Sequence, residues 1–536
     1  MIERAMHPSQ KAGKWGLIGL FVILIPLYLV LPLSEGRFLA SPDESANAEV
    51  IRQIAWYGRV STPEPLAVEF PWLHPRSFVS HADSIVPVGF LGWPWVLSLF
   101  ALILGLASTP VIASLVGVSM AYPLFKQLEE KFGYVTALVA TLIGMTVPAM
   151  LVFGNRALFP QVPVLAFGLW AVWLLRKLPK EKRWWPYAAA GLLVSLAFST
   201  RPTEMLWLAP WLAWASWSLR PTRRQLLATI ISFLIPLMFI GVFAQSAYGG
   251  FWKSGYALHD NPSLAADVSA PSPAPPSASA GWRAPSLVFP FGIHPKNVWW
   301  NTEAYLVIFQ WPYFFVLLFA TILIGREMYR SRDENDRTRF LVPALAAWTM
   351  LVLIGYYGHG LYSDNINGGS ITVANSFIRY LLPIGPVIAL AWAYLMSKLP
   401  PKTLRWMLPA SALLLAAFGI WSAFVRDDEG ILATRTELMR YSTVLDAASA
   451  HFHPSDVILS DRSDKVFFPS FRAVSPVPEL SQIADLHRAH PELQIGLYAR
   501  PLTQQQQDAW RMAGFEPSEL ASSGREELYL LRPITR

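Results

Sequence analysis

Twelve apolar runs, of 15 to 23 residues each, follow one another along the chain, and this succession constrains the fold more than any other feature. They fall at 15–33, 87–105, 107–125, 134–153, 157–175, 186–200, 203–218, 226–246, 302–324, 340–357, 377–397 and 406–425. About 20 apolar residues in a helix cross the roughly 30 Å hydrocarbon layer of a bilayer. In lipid every backbone N–H and C=O must be satisfied internally, which helices do within one segment. The runs therefore predict an all-α polytopic membrane protein. The first run, from Trp15 to Leu33, carries no charge, is longer than a signal-peptide core and ends in Leu33-Ser34-Glu35-Gly36, so it reads as a retained span. The 87–105 run contains Pro87, Gly89, Gly92 and Pro94 and reads as a re-entrant or interfacial helix, which leaves about 11 transmembrane helices.

Composition agrees. Of 536 residues 53% are hydrophobic and 15% charged, against about 45–50% and about 25% in soluble chains. The 23 Trp and 31 Phe suit aromatic belts at membrane interfaces. No cysteine is present, so disulfides and thiolate metal sites are excluded. The net charge of +7 follows orientation. With the N-terminus inside, the inner segments hold 21 Lys/Arg, among them Arg176, Lys177, Lys180, Lys182, Arg183, Arg220, Arg223, Arg224 and the stretch from Arg326 to Arg339. The outer loops are longer and hold fewer than half as many, the positive-inside bias. Nucleic acid is thus not an expected partner.

Residues 1–425 read as the transmembrane domain, with outer loops at 34–86 and 247–300. The middle of the second loop is rich in Pro, Ser and Ala and cannot bury a core. From 426 to 536 short strand-like runs (DVILS, QIGLYA, ELYLL) alternate with a helical one at 504–513, which predicts a small C-terminal α/β domain outside the membrane. Its Asp461, Asp464 and Lys465 read as loop polars, as do His359 and Asp364 in YYGHGLYSDNINGG.

After the first span comes FLASPDESANAEVIRQIAWYGRV. Ser41 as N-cap, Pro42 at the first helical position and Glu44 three residues after the cap make a capping-box pattern. Ala46, Val50, Ile51, Ile54 and Ala55 give one apolar face, and Gly58 ends the helix. An acidic residue in a first turn is favoured by the helix dipole alone, so capping accounts for Glu44 as well as catalysis does. Asp43, at the membrane surface directly after a span, has no packing purpose there and is the stronger catalytic candidate.

An acidic pair on an amphipathic helix, early in the first outer loop of a many-span protein, resembles the GT-C superfamily of membrane glycosyltransferases. The nearest likeness is glycosyltransferase family 39 and the aminoarabinose-transferase-like branch. GFLGWPWVLSLFALILG, LFPQVPVLAFGLWAVWLL, GLLVSLAFSTRPTE, YGGFWKSGY and SFIRYLLPIGP are similar to successive segments of that branch, over about 400 residues. The resemblance implies inverting transfer of a sugar from a polyprenyl-phosphate carrier to an acceptor hydroxyl of a lipid, glycan or protein, on the outer face of a bacterial inner membrane. It implies Asp43 as the base, with Glu44 assisting. The leaving phosphate then needs cations at outer span ends, for which Arg379, Lys253, Arg201 and Arg156 are candidates. Arg201 has a second reading, as the partner of Glu204. Where many members carry a second acid before the fourth span, this chain has Phe159-Pro160-Gln161, so the likeness does not bring a divalent metal with it. Gln161 reads either as an acceptor ligand or as a packing and helix-end residue. His74 and His81, near Asp83, fit no standard metal spacing and are candidates for the acceptor cleft with Tyr256 and Tyr380. The competing functions are a lipid-linked oligosaccharide polymerase or ligase and a transporter or flippase. The first expects a basic late outer loop, whereas 358–376 has no Lys or Arg. The second expects repeats or charges deep within spans.

Overall fold

Every one of the twelve apolar runs holds helix in the computed structural model, which describes residues 10–34, 38–178, 183–259, 291–330, 340–362 and 370–534. Lys180, Lys182, the stretch 331–339, Asp364 and the Pro/Ser/Ala-rich middle of the 247–300 loop lie outside these residues. The chain divides into two compact units, each built from three separate stretches.

The first unit (1–33, 110–237 and 279–433) is a helical bundle. Among the described residues four helices are long and apolar enough to cross a membrane: Leu106–Phe132, Arg223–Tyr248, Trp311–Arg330 and Pro401–Phe424. The pair Tyr134–Met145 and Pro148–Asn155, bent by 62°, has the length and composition of either a broken span or a re-entrant loop. Pro148 causes the bend, since the residue before a proline is pushed out of the helical region and Val147 sits at φ −55°, ψ 138°. The other runs form shorter or broken helices, and the total of 11 remains an expectation. Outward faces are apolar. On Arg223–Tyr248, Leu226, Leu227, Ile230, Ile231 and Leu234 are 44–57% exposed along one side, as a lipid-facing surface requires.

Inside the bundle, small residues let backbones approach. Tyr28 lies over Gly154, where an added Cβ would come within 2.3 Å of its ring, and donates its hydroxyl to Met145 O at 2.8 Å. Asn155 then pins the end of the first helix. Its amide donates to Leu27 O (2.7 Å), and its oxygen accepts from Leu31 N (3.1 Å). Two stretches, Thr302–Ile308 and Leu353–Tyr357, are π-helical. Such bulges re-aim the side chains that follow them.

The second unit (34–109, 238–278 and 434–536) carries the sheets. The helix Pro42–Tyr57 is capped as its sequence predicts. Ser41 accepts from Glu44 N, Pro42 opens the first turn, and Gly58 closes at φ 63°. After it come β1 (Thr62–Pro63), β2 (Phe78–His81) and β3 (Ser84–Pro87), in the order β1-β3-β2. The helix Gly92–Leu104 follows. Its 13 residues reach about 20 Å, too short to cross alone. Val50, Ile54, Val79, Val86, Tyr248 and Leu258 share one core, so residues 244–258 pack onto the hairpin and the capped helix.

The tail forms the expected α/β domain. Its five-stranded sheet runs β5 (Arg472–Val474), β4 (Val457–Ser460), β6 (Ile495–Ala499), β8 (Glu526–Pro533), β7 (Phe515–Ser523). The β4–β5 and β4–β6 pairs are parallel and the β8 pairs antiparallel. DVILS, QIGLYA and ELYLL supply β4, β6 and β8. The helices Leu480–Ala489 and Gln504–Met512 both start in capping boxes. The core of this sheet also takes Phe70 and Leu73 from the first loop.

Candidate functional site

The two acidic residues of the capped helix have different surroundings. Glu44 is buried, and its Oε2 receives the Ser41 hydroxyl at 3.4 Å. Asp43 is exposed, with Oδ1 accepting from Ser77 Oγ at 2.7 Å. The helix that presents it is held rigidly. Buried Glu49 accepts from Arg52 Nε and Nη2 (2.7 and 2.6 Å), Gln53 Nε2 (2.8 Å) and Thr62 Oγ1 (2.9 Å). That set of bonds ties the helix to β1, and the Glu49 carboxylate holds the Arg52 guanidinium above its usual pKa.

Two tail residues brace the chain on both sides of Asp43. Lys465 Nζ donates to Ala40 O at 2.8 Å, three residues before Asp43. Asp464 Oδ2 accepts from Arg76 N at 2.9 Å, beside Ser77. Phe468 meets Phe78 with ring centroids 5.0 Å apart. Asp464 and Lys465 are therefore not loop polars as the sequence suggests. Asp464 is 1% exposed, and burial pushes its carboxyl above the ordinary range.

The remaining candidates of this unit lie as follows. His74 Nδ1 is 3.1 Å from Pro75 O. His81 is exposed at the hairpin end, opposite Ser84. Lys253 is exposed after a tight turn closed by its N–H to Gly250 O, and makes no ion pair among the described residues. Tyr256 packs on Phe90 at 5.5 Å. The glycine before it, Gly255, lies so close to β3 that an added Cβ would meet Pro87 O at 2.1 Å.

In the bundle unit, three of the predicted arginines come together through aromatic rings. Phe159 has Arg379 over it at 4.5 Å and Arg156 at 5.2 Å. Tyr380 has Arg201 at 4.7 Å and Arg379 at 5.3 Å. Tyr357 stacks flat on Tyr380 (4.3 Å, 5°) and also carries Arg201 at 5.7 Å. The result is a ladder of guanidinium groups and rings, each contact contributing about 0.5–2 kcal/mol. Glu204 orients one end of it. This buried carboxylate pairs with Arg201 (3.1 Å) and accepts from Tyr357 Oη (2.8 Å) and from Trp207 Nε1. The alternative reading of Arg201, as a partner of Glu204, is thus met, and Arg201 serves the ladder as well. Three guanidinium groups, three rings and the Glu204 carboxylate thus meet in the bundle unit.

Gln161 opens the helix Gln161–Lys177, two residues after Phe159. It is 5% exposed, and neither its Oε1 nor its Nε2 has a protein partner. A buried amide left so costs about 1–3 kcal/mol per group. Sequence reasoning missed Phe159 and Tyr357 as ladder members and Ser77 as the partner of Asp43. A ring at the end of a span, as in Tyr356-Tyr357, was the one available signal. Among the described residues no three His, Asp or Glu side chains gather as a metal site would need.

Residues 87–248 match the family described as dolichyl-phosphate-mannose-protein mannosyltransferase. The chain is similar to ArnT from Cupriavidus metallidurans in its apo-state crystal structure, with a TM-score of 0.56 and 12% identity over 97% of this chain and 98% of that one. The crystal structure of the same ArnT bound to undecaprenyl phosphate gives a TM-score of 0.53 and 12% identity, over 96% and 98%. No curated protein sequence matches. At this identity the likeness is one of fold, and it agrees with the resemblance read from the sequence.

Proposed function

Because the chain has the GT-C membrane fold, we propose that it is a glycosyltransferase that moves a sugar from a polyprenyl-phosphate carrier to an acceptor hydroxyl, with inversion, on the outer face of a bacterial inner membrane. The observation that carries this reading is the ladder of Arg156, Arg201 and Arg379 with Phe159, Tyr380 and Tyr357. A cluster of guanidinium groups suits a phosphate, whose oxygens accept from their N–H donors. A phosphate linked to a prenyl chain supplies both the charge and an apolar tail. That ArnT was crystallised with undecaprenyl phosphate on the same fold supports the choice.

In this reading the acceptor oxygen attacks the anomeric carbon, the bond from that carbon to the phosphate oxygen breaks, and the acceptor proton passes to Asp43. A lipid phosphate leaves as a stable anion and needs no general acid, so one carboxylate suffices. The three arginines stabilise the charge that develops on the departing phosphate. Ser77 orients Asp43 by donating to Oδ1. Glu44, engaged by Ser41 and buried, sets the helix end rather than touching the acceptor.

Two measurements test the proposal together. Mass spectrometry of lipid-linked sugars from a strain lacking the gene is expected to show one prenyl-phosphate sugar accumulating. The variant Asp43→Asn, expressed at normal level, is expected to leave that sugar accumulated and to lose about 10²–10⁴ in transfer rate. Unchanged lipid-linked sugar pools in the deletion strain would sink the reading. So would a fully active Asp43→Asn.

A further inference from the structure

The bundle unit contains a cavity of about 380 Å³, lined at one side by Trp207, the residue that donates to Glu204 of the ladder. Its walls are apolar: Leu165 and Val172 from Gln161–Lys177, Leu208 and Trp211 from Met205–Ser216, and Val387 from Ile384–Ser397. Trp211 donates its indole N–H to Thr349 Oγ1 at 2.9 Å, so that wall presents no unmet donor to the cavity. One end differs from the rest. There Lys131, Arg176 and Glu130 line the cavity.

The charges at this end do not cancel. Glu130 is shared between Arg176 (3.2 Å) and Lys177. Lys131 has no ion pair among the described residues and feels the charge of Arg176, while Lys398 is paired with Glu327 at 2.5 Å. Arg176 leans over the Trp214 ring at 4.8 Å, which keeps its guanidinium at the mouth. The mouth is therefore positive, above a slot suited to hydrocarbon.

This is not the phosphate site of the arginine ladder. The helix Gln161–Lys177 has 17 residues and is about 25 Å long. Arg156 and Phe159 precede its first residue, while Arg176 is next to its last. A prenyl tail descending from the ladder has no charge at its far end and would gain nothing from Lys131 and Arg176. An anionic glycerophospholipid entering from the other end satisfies both features, its phosphate on the cations and an acyl chain in the slot. Basic pockets between membrane helices hold anionic headgroups on this principle.

We propose that this cavity is a binding site for an anionic phospholipid, with the headgroup phosphate held by Lys131 and Arg176 and one acyl chain along Val172, Leu208 and Trp211. The charged mouth lies at the opposite end of Gln161–Lys177 from the ladder, and the test reads lipid binding rather than transfer activity. The full chain is reconstituted and titrated with phosphatidylglycerol or phosphatidylcholine, and retained lipid is read by native mass spectrometry. Phosphatidylglycerol is expected to be retained in preference. Lys131→Gln, at an exposed position that leaves folding intact, should lower its affinity about five-fold. Val172→Trp, which fills the slot with every charge in place, should abolish retention while the protein elutes and melts as the parent does. Equal retention of the two lipids would overturn the proposal. Undiminished phosphatidylglycerol binding by Val172→Trp would reduce it to a surface charge contact, and displacement of phosphatidylglycerol by undecaprenyl phosphate would give the slot to the donor tail instead.

Discussion

Tyr380 is the residue on which the ladder turns, since its ring lies against two guanidinium groups and a second tyrosine. Tyr380→Phe keeps the ring and is expected to stay near parent activity. Tyr380→Leu removes contacts of about 0.5–2 kcal/mol each, which reads as a roughly two- to thirty-fold rise in the apparent KM for a prenyl-phosphate donor. Equal effects of the two substitutions would show that the hydroxyl, rather than the ring, matters. Gln161 gives the opposite pattern. Its amide is buried without a protein partner, so Gln161→Leu should raise the melting temperature in detergent. Because the same amide is a candidate to orient the acceptor, turnover should fall as stability rises. A variant that is more stable and fully active would return Gln161 to packing. The arginines were legible in the sequence as charges at span ends. Their distant aromatic partners were not, because Phe159 meets Arg379 and Tyr357 meets Arg201 from far along the chain, and nothing local marks a ring as a cation's neighbour.

At the scale of elements, the capped helix Pro42–Tyr57 was readable to its ends, because cap, proline and terminal glycine are local chemistry. The brace around it was not. Asp464 and Lys465 lie some 400 residues away in sequence, and their bonds to Arg76 N and Ala40 O exist only after the tail has folded against the first loop. Lys465→Ala should leave the protein folded and lower kcat with little change in acceptor KM, as loss of a positioning contact does. Asp464 adds a pH dependence. Its folded pKa is raised by burial, so this group favours the folded state at low pH and the benefit is lost as pH rises through that value. Asp464→Asn keeps an acceptor for Arg76 N without the charge. Its stability relative to the parent should increase from pH 4 to pH 7, followed by thermal unfolding at each pH. A constant difference across that range would mean that the carboxyl titrates normally.

At the scale of the molecule, the tail is not an appendage, since Phe70 and Leu73 of the first loop sit in the core of its sheet. A chain ending at residue 433 would expose those two side chains and lose the Arg472–Glu64 pair (3.0 Å). It is expected to accumulate poorly and to be cut by protease within the first outer loop, whereas a parent treated alike stays intact there. The sequence by itself determined the membrane architecture and the helix bearing Asp43, because hydropathy, capping and proline act over a few residues and lipid leaves the backbone no alternative to helix. It also determined which runs of the tail become the central strands. Tertiary structure alone decided which rings stand between the arginines, which tail residues steady the carboxylate and where a cavity meets unbalanced charge. Those are contacts between distant segments, set by packing and by the cost of burying charge, and no local pattern encodes them.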